Sequence, residues 1–354
     1  PTGPETTEHT IHSHYCPHCK KRVEPKVTSA MPKAAIGNRA LLLGAWLHYG
    51  LGQTISQIQA LFNSLFEFQL SAGALTQQWA RLGLVFKPWH EQIGQAVRRG
   101  GVLHSDETGW RVNGKTHWLW CFTNPTASYY TIDPSRGSEV INNLLKDSFA
   151  GTLITDFFSA YNLVVAEKKK KCLAHLLRTI KDLDKGNDDA QWNALRRTLV
   201  RLLKDALALG ARADREAPDF LSKRARIEVR MDSIINAPGA WEDADALRIV
   251  KRLRKFRAHL FTFLYEPAVP PDNNHAEREI RPAVIARKNS LHNTSDNGAE
   301  LQALFLSIYR TLKRRRHDPL AVMAHALSTY IQTGQLPALP QAPATPAQPP
   351  PTQP

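Results

Sequence analysis

The sequence has few cysteines and no long run of apolar residues. Only four of its 354 residues are cysteine, and such a number is a poor disulfide framework for a chain of this size. No apolar stretch approaches the roughly 18–20 residues that a membrane-spanning helix needs, and the N-terminus lacks the pattern of a signal peptide. We therefore expect an intracellular protein in a reducing compartment, with no membrane partner.

Acidic residues are scarce relative to basic ones. The chain contains 46 lysines and arginines against 32 aspartates and glutamates, which gives a net charge of +14 and an isoelectric point near 9.7. This excess favours a polyanionic partner, although charge alone does not say which. The length allows two or three domains, each with a core of its own.

Two aspartates follow short segments that are predicted to be strands. Asp106 comes after the apolar pair 102–103, and Asp156 comes directly after the β-prone run 152–155. An aspartate in such a position is more often a turn residue that bonds nearby backbone. Because the pattern occurs twice, we expect both carboxylates at the ends of buried strands and in one shared site.

A third carboxylate, Glu277, is expected in the first turns of a helix. Pro270 and Pro271 stop the preceding segment, and Asn273 or Asn274 can cap the new helix. Carboxylate oxygens are the hard ligands that Mg²⁺ prefers. Three converging carboxylates can hold two such ions about 3.5–4 Å apart, the spacing that stabilises the attacking and leaving oxygens in phosphoryl transfer.

Five motifs in this part of the chain resemble transposases of the insertion-sequence 66 family. They span about residues 103–289, and in order they are HSDETGW, TIDPSRGSE, TDFFSAY, CLAHLLR and NNHAEREIRPAVIARKN. The resemblance implies an Asp–Asp–Glu triad on a ribonuclease-H-like core, placed on Asp106, Asp156 and Glu277, with two Mg²⁺ or Mn²⁺ ions as cofactors. It also implies DNA as the partner, a homo-oligomer on that DNA, and a place at the nucleoid in the bacterial cytoplasm.

The first 30 residues are predicted to be a partial zinc-binding leader. Cys16 and Cys19 have the spacing at which two thiolates occupy adjacent corners of a zinc tetrahedron. Three interpretations stay open: His9 and His12 complete the site, another ligand pair precedes Pro1, or the segment is a disordered, His-rich leader with two free thiols.

Residues 31–98 are predicted to be helical, because their apolar residues recur at intervals of three and four. Ser71 is a good N-cap for a helix that carries Thr76, Gln77, Gln78 and Arg81. Two helices joined by a tight turn are typical of a helix-turn-helix DNA reader, and equally of an ordinary helical subdomain.

The predicted fold is a mixed α+β ribonuclease-H-like core interrupted by a helical insertion. Residues 99–183 show the order strand, strand, strand, helix, strand, and residues 184–268 read as a basic helical insertion too long for a loop. Residues 269–334 return to the core, with Pro282 expected to kink or end the helix of Glu277. The Pro- and Ala-rich tail, 335–354, is expected to be disordered.

Basic residues near these motifs are candidates for phosphate contact. The six cations within residues 248–257 exceed what a solvated helix face needs. For Cys172 and His175 we set a zinc site aside, because no second ligand pair stands nearby; the alternative for Cys172 is a buried small apolar residue. The resemblance implies that His175 and Arg178 lie close to the carboxylates and contact substrate phosphate. The DNA-binding candidates are His175, Arg178, Arg252, Arg254, Arg278, Arg281, Arg287 and Lys288.

Helical geometry separates the two glutamates of the EREIRP motif. Glu279 lies about 200° round the helix from Glu277, so the two cannot face one metal cluster. Arg281, four residues on, is the alternative partner that would give Glu277 a purely structural role.

These features predict a DNA transposase that cleaves and transfers strands with divalent metal ions. Two alternatives stay open: a structure-specific nuclease on the same core, and a catalytically silent DNA-binding regulator derived from a transposase. The additional helices argue against a minimal nuclease, and the presence of all three carboxylates argues against a silent regulator.

Overall fold

The computed structural model describes residues 5–146, 148–237, 241–290 and 292–343. The chain divides into two compact units. Unit 1 comprises Pro1–Val97, Glu107–Pro134 and Glu279–Pro354, and unit 2 comprises Arg98–Asp106 and Ser135–Arg278. Within the described residues, no helix is both long and apolar enough to cross a bilayer.

The chain forms a small hairpin and a five-stranded mixed sheet of order β5-β4-β3-β6-β7. The strands are β1 (His14–Cys16), β2 (Lys21–Val23), β3 (Val102–Val112), β4 (Lys115–Asn124), β5 (Ala127–Asp133), β6 (Phe149–Thr155) and β7 (Ala166–Lys171). The α-helices are α1 (Asn38–Ala45), α2 (Ile55–Phe66), α3 (Ala72–Arg98), α4 (Ser138–Leu145), α5 (Leu173–Leu183), α6 (Ala190–Gly210), α7 (Pro218–Asn236), α8 (Ala244–Lys255), α9 (Asn274–Ser290), α10 (Asp296–Arg314) and α11 (Pro319–Thr333).

Shorter turns complete the helical segments. A π-helical turn, Trp46–Gly50, follows α1, and 3-10 turns cover Ser159–Asn162, Arg257–His259 and Thr262–Leu264.

Unit 1 contains the antiparallel strands β4 and β5, as the sequence predicts. A two-residue turn leads from β3 into β4, and its residues Asn113 and Gly114 have φ values of 48° and 73°, which are the left-handed values that tight hairpins require. Helix α10 packs against β5 through small and branched side chains. The shared core includes Trp110, Leu119, Tyr130, Ile280, Ala283, Ala303 and Leu306.

Unit 2 contains the parallel strands β6 and β7 and the helices of the predicted insertion. The apolar stripe of α6 is buried in one core with α5, α7 and α8, as its periodicity predicts. Aspartates cap two of these helices: Asp189 accepts N–H groups at the start of α6, and Asp243 does so at the start of α8.

The N-terminal helices α1, α2 and α3 lie within residues 38–98. The backbone N–H of Ala74 donates to Ser71 Oγ over 3.1 Å, so Ser71 does cap α3. This helix is 27 residues long, and Arg81 donates to Gln78 Oε1 and to the carbonyl of Pro32. The helix-turn-helix interpretation stays a prediction.

Two expectations about the C-terminal region are wrong in part. Pro282 does not end its helix, because it lies inside α9, which continues to Ser290. Ala283 and Ala286, which follow it, are buried, so this part of α9 is packed in spite of the cost of an internal proline. The expected kink stays a prediction. The tail is ordered at its start, because Leu339 is buried and Trp89 Nε1 donates to the Pro337 carbonyl over 2.7 Å. Residues 344–354 of the predicted tail lie outside the described residues.

Candidate active site

Adjacent parallel strands carry the two aspartates. The register places His104 of β3 opposite Ile154 of β6. Asp106 lies two residues further along β3, and Asp156 lies two residues further along the chain, one residue past the end of β6. Neighbouring strands lie about 4.8 Å apart, so this register brings both aspartates to the same end of the β3–β6 pair. Asp156 directly follows the end of β6, as predicted.

The expectation that Asp106 ends its strand is wrong. Asp106 lies within β3, which runs on to Val112. The strand continues because its other neighbour, β4, still lies beside it after β6 has ended. The residues after Asp106, Glu107–Gly109, therefore belong to a half-buried part of a strand and do not form a turn.

Two buried lysines hold the end of β6. Lys171 Nζ donates to Thr155 Oγ1 over 2.9 Å and to the backbone carbonyl of Asp156 over 2.7 Å. Lys170 Nζ donates to the carbonyls of Lys171 and Pro271, the latter over 2.8 Å. Burial lowers the pKa of Lys170 to about 7. A run of four lysines is usually solvated, but Lys170 and Lys171, the second half of the run 168–171, are part of the interior.

A buried asparagine joins three chain segments. Asn273 is fully buried, its Nδ2 donates to the Ser105 carbonyl over 2.9 Å, and its Oδ1 lies 3.0 Å from His104 Nδ1. Its backbone N–H donates to Cys172 Sγ over 3.2 Å, and the Cys172 N–H donates to the Thr155 carbonyl over 2.9 Å. This network connects the residues immediately before Asp106 and Asp156 with the start of α9.

The expected capping role of Asn273 is therefore wrong in part. Asn273 stands just before α9, but its side chain is taken up by β3 rather than by the first turn of the helix. Asparagine suits both roles, since its amide is a donor and an acceptor. Only the folded chain brings β3 within reach.

Glu277 lies in the first turn of α9 and faces α5. Its Oε1 is 3.5 Å from His175 Nδ1, and its Oε2 is 3.8 Å from an Arg178 nitrogen. Glu277 Oε1 and His175 Nδ1 are buried atoms that make no hydrogen bond. Helix α5 thus supplies the groups that face this carboxylate, so the predicted DNA contacts His175 and Arg178 lie beside Glu277.

Cys172 joins His175 and Glu277 in one cluster. A ligand atom from each of these three residues lies within 4.8 Å of the other two, and Cys172 is fully buried. Asp106 and Asp156 are not members of this group. The sequence analysis set Cys172 and His175 aside as a metal site because no second pair was near in sequence; Glu277, about a hundred residues later, is the missing neighbour.

Glu279 faces away from this cluster, as helical spacing predicts. It is 5% exposed and accepts from Arg310 Nε over 2.9 Å, from Arg314 over 2.5 Å and from Ser128 Oγ over 3.1 Å. These partners satisfy the carboxylate within unit 1, so its role is structural.

The basic stretch of α8 is only partly free for a partner. Arg254 donates to the Ile235 carbonyl, and Arg257 forms ion pairs with Glu228 and Asp232. Several of the cations that seemed in excess therefore serve the fold of the insertion.

Arg252 is the member of this stretch that reaches the candidate site. Its guanidinium lies 5.5 Å from the ring centre of Phe157. Burial and the neighbouring Arg248 lower the pKa of Arg252, while the Asp156 carboxylate opposes them. The insertion thus places a cation beside Asp156.

The cations of α9 differ in exposure. Arg287 donates to Thr108 Oγ1 over 3.1 Å and to the Gly109 carbonyl, which ties this part of α9 to β3 in unit 1. Arg278, Arg281 and Lys288 are exposed, and their contact with DNA stays a prediction.

The two N-terminal cysteines lie in the β1–β2 hairpin. Hydrogen bonds from the Cys19 and His18 backbone and from the Cys19 side chain lower the pKa of Cys16, which is the environment of a metal-binding thiolate. His9 Nε2 lies 3.2 Å from Ser29 Oγ. In the part of the chain that the structure describes, the cysteine pair is not part of a three-ligand group, so zinc ligation by Cys16, Cys19, His9 and His12 stays a prediction.

Comparison with known families identifies the chain. The sequence profile described as "Transposase IS66 family" matches residues 34–301, which is most of the chain. The chain belongs to the IS66 transposase family. This IS66-family chain is also similar to two uncharacterized proteins of Sinorhizobium fredii (strain NBRC 101917 / NGR234), y4qI and y4jD.

Both relatives are longer than this chain. The protein y4qI is 27% identical over 295 residues, which cover 75% of this chain and 54% of that protein. The protein y4jD is 24% identical over 315 residues, covering 77% of this chain and 58% of that protein. The chain therefore spans a little over half the length of these curated relatives.

Proposed function

We propose that the chain carries the catalytic core of a DNA transposase that cleaves and joins DNA strands with divalent metal ions. Membership of the IS66 transposase family supports the activity. The mixed sheet has the strand order β5-β4-β3-β6-β7, and α4 follows β5, the third strand of this sheet along the chain. Both features support a ribonuclease-H-like core. The observation that carries the proposal is the register of β3 and β6, which supports a shared site for Asp106 and Asp156 at one end of this strand pair.

The donor set at this place fits hard divalent ions. Asp106 and Asp156 would hold one ion together, and the Glu277 carboxylate would complete the shell of a second. Bound Mg²⁺ or Mn²⁺ would activate a water or a DNA 3′-hydroxyl and stabilise the leaving oxygen.

The surrounding side chains have separate tasks in this proposal. Asn273, Lys170 and Lys171 position the segments that carry the carboxylates, through the buried hydrogen bonds described above. Arg252 and Arg178 lie beside Asp156 and Glu277, where guanidinium groups can bind the phosphates that flank the cleaved bond.

The exposed basic residues would bind DNA away from the reacting phosphate. Arg278, Arg281 and Lys288 are exposed on α9, and each can pair with a backbone phosphate without reading sequence. The element's terminal repeats and the target DNA are the partners in this proposal, with a homo-oligomer of the chain assembled on them.

Substitution of the three carboxylates tests the proposal. Asp106→Asn, Asp156→Asn and Glu277→Gln each remove a metal ligand with little change of shape, so each should lower strand cleavage by at least about a thousandfold while DNA binding persists. Cleavage and joining are measured with Mg²⁺ on DNA carrying the ends of the element that encodes the chain.

Glu167→Gln is the matched control, because Glu167 is an exposed carboxylate on the edge strand β7. Its cleavage rate should equal that of the wild type. Full activity in any one of the three variants would remove that residue from the triad. Cleavage without joining would indicate a nuclease, and binding without either would indicate a silent regulator.

A further inference from the structure

The cluster of Cys172, His175 and Glu277 has the composition of a soft-metal site. Thiolate, imidazole and carboxylate are the ligands that Zn²⁺ takes in proteins. All three side chains belong to unit 2, and their ligand atoms lie within 4.8 Å of one another. Cys172 immediately precedes α5, and His175 lies one turn into it, so helical geometry brings the two together.

Two atoms of the cluster are unsatisfied in the folded chain. Glu277 Oε1 and His175 Nδ1 are buried, are 3.5 Å apart and have no hydrogen-bond partner. Buried polar atoms of this kind are uncommon, and an ion is one of the reasons for them. A cation between the two would satisfy both.

The Cys172 side chain is held in place at the start of α5. The backbone N–H of Asn273 donates to Cys172 Sγ over 3.2 Å, and the Cys172 N–H donates to the Thr155 carbonyl over 2.9 Å. These bonds fix the sulfur beside His175 and Glu277. Cysteine ligates metals as the thiolate, so a bound cation would displace the thiol proton.

We propose that Cys172, His175 and Glu277 bind one thiophilic divalent cation of the zinc class, with a fourth position open to water or a phosphate oxygen. The ligand atoms of a tetrahedral zinc ion lie about 3.3–3.8 Å apart. The His175–Glu277 separation of 3.5 Å already meets this, and the thiol needs a movement of about 1 Å at most. Arg178, 3.8 Å from Glu277 Oε2, would pair with the oxygen that faces away from the ion.

The site would link the start of α5 to the first turn of α9. This zinc site rests on the proposed function only because Glu277 belongs to both the site and the carboxylate triad. It adds the soft ligands Cys172 and His175 next to the hard carboxylate ligands. An ion held here would fix the Glu277 carboxylate and would therefore stabilise unit 2.

Zinc binding by the full chain tests the inference without DNA. The double variant Cys16→Ser/Cys19→Ser is used as the background, because it removes the cysteine pair of the β1–β2 hairpin. After dialysis against zinc this protein should hold about one ion per chain, and Co²⁺ in its place should give thiolate-to-cobalt charge-transfer absorption. Zinc should also raise the melting temperature, since a ligand of the native state stabilises it.

Two further variants identify the ligands. Cys172→Ser and His175→Ala in the same background should each weaken zinc affinity by at least about tenfold and abolish the rise in melting temperature. His175 is only partly buried, so its variant stays informative if Cys172→Ser fails to fold. Cys121→Ser is the matched control, because Cys121 is equally buried and lies in unit 1; it should bind zinc as the background does.

Less than about 0.2 zinc per chain in the background protein would overturn the proposal, as would a cobalt spectrum without the thiolate band. Unchanged affinity in both ligand variants would do the same. Because neither DNA nor Mg²⁺ is present, a protein that fails to cleave DNA can still bind zinc. Conversely, a chain that fails to bind zinc would leave the proposal for the carboxylate triad unaffected, because that proposal is tested by DNA cleavage.

Discussion

At the scale of single residues, the interior of this chain contains more polar chemistry than its sequence suggests. Lys170 and Lys171 are 0% and 2% exposed, and both donate to backbone carbonyls near the candidate site. Burying an ammonium group is costly unless it is hydrogen-bonded. Their partners explain why the last two residues of a lysine run can end an interior strand.

His90 is a second buried titratable residue, and it predicts how stability depends on pH. Its Nε2 lies 3.1 Å from the Tyr130 carbonyl, and its ring stacks on Tyr129 with 4.6 Å between ring centres. Burial lowers the pKa of His90 from 6.5 to about 4. Below pH 6.5 the unfolded chain therefore takes up a proton that the native chain refuses until about pH 4.

The free energy of unfolding should consequently fall as the pH drops from 6.5 to 4. Each pKa unit corresponds to about 1.4 kcal/mol, so the shift of about 2.5 units limits the contribution of His90 to about 3.5 kcal/mol at most. In His90→Gln, which keeps a donor but does not titrate, this part of the pH dependence should be absent. Urea unfolding at several pH values measures it, with exposed His325→Gln as control; parallel curves for wild type and His90→Gln would contradict the assignment.

At the scale of elements, both edges of the five-stranded sheet are closed by hydroxyl groups. At the β5 edge, Ser307 Oγ accepts from the Tyr130 N–H over 2.9 Å and Thr311 Oγ1 accepts from the Ser128 N–H over 3.1 Å. At the β7 edge, Thr262 Oγ1 donates to the Lys169 carbonyl over 2.7 Å. Unpaired strand edges invite association with other chains, and these contacts occupy part of each edge.

Removing the hydroxyls of α10 should destabilise unit 1. Ser307→Ala and Thr311→Val each leave a buried N–H of β5 unpaired, which costs about 1–3 kcal/mol per group. The double variant should show a lower urea midpoint and a greater tendency to aggregate, measured by denaturation and light scattering.

Thr76→Val provides the matched control for these substitutions. Thr76 is an exposed helical residue whose hydroxyl bonds the Ala72 carbonyl within its own helix. The control should stay within about 0.5 kcal/mol of the wild type. A double variant as stable as this control would show that the hydroxyls do not secure the edge.

At the scale of the whole molecule, the net charge of +14 should govern affinity for DNA. Each phosphate neutralised by lysine or arginine contributes about −0.9 to the slope of log affinity against log salt. We expect a slope of several units for the full chain, measured by fluorescence anisotropy between low and physiological salt. A slope near zero would mean that the excess charge does not face DNA.

Single substitutions locate the contribution of the insertion. Lys251 and Lys255 are exposed on α8, so Lys251→Gln and Lys255→Gln should each reduce the slope by about one unit if they contact phosphate. Lys223, which pairs with Asp219 over 3.1 Å, is the control, and Lys223→Gln should leave the slope unchanged. If Lys251→Gln and Lys255→Gln had the same slope as the control Lys223→Gln, α8 would not be part of the DNA interface.

Local patterns were enough to predict much of the architecture. The aromatic and β-prone residues within 115–133 predict the β4–β5 pair, Asn124 marks the turn between the two strands, and the apolar stripe of α6 predicts its buried face. These features depend on neighbours within a few residues, which is the range over which side-chain periodicity acts. The motif order likewise indicated the family that the profile identifies.

The surroundings of the candidate site were decided by the tertiary structure. Asn273 bonds β3, Lys170 bonds the segment before α9, and Glu277 meets Cys172 and His175. Each contact joins segments about a hundred or more residues apart, so no local spacing could reveal it. The sequence by itself determined most of the segments that become strands and helices, and it predicted Asp156 after a strand and Glu277 in the first turn of a helix. Only burial in the folded chain decided which polar groups face one another there, because desolvated donors and acceptors must find partners wherever packing brings them together.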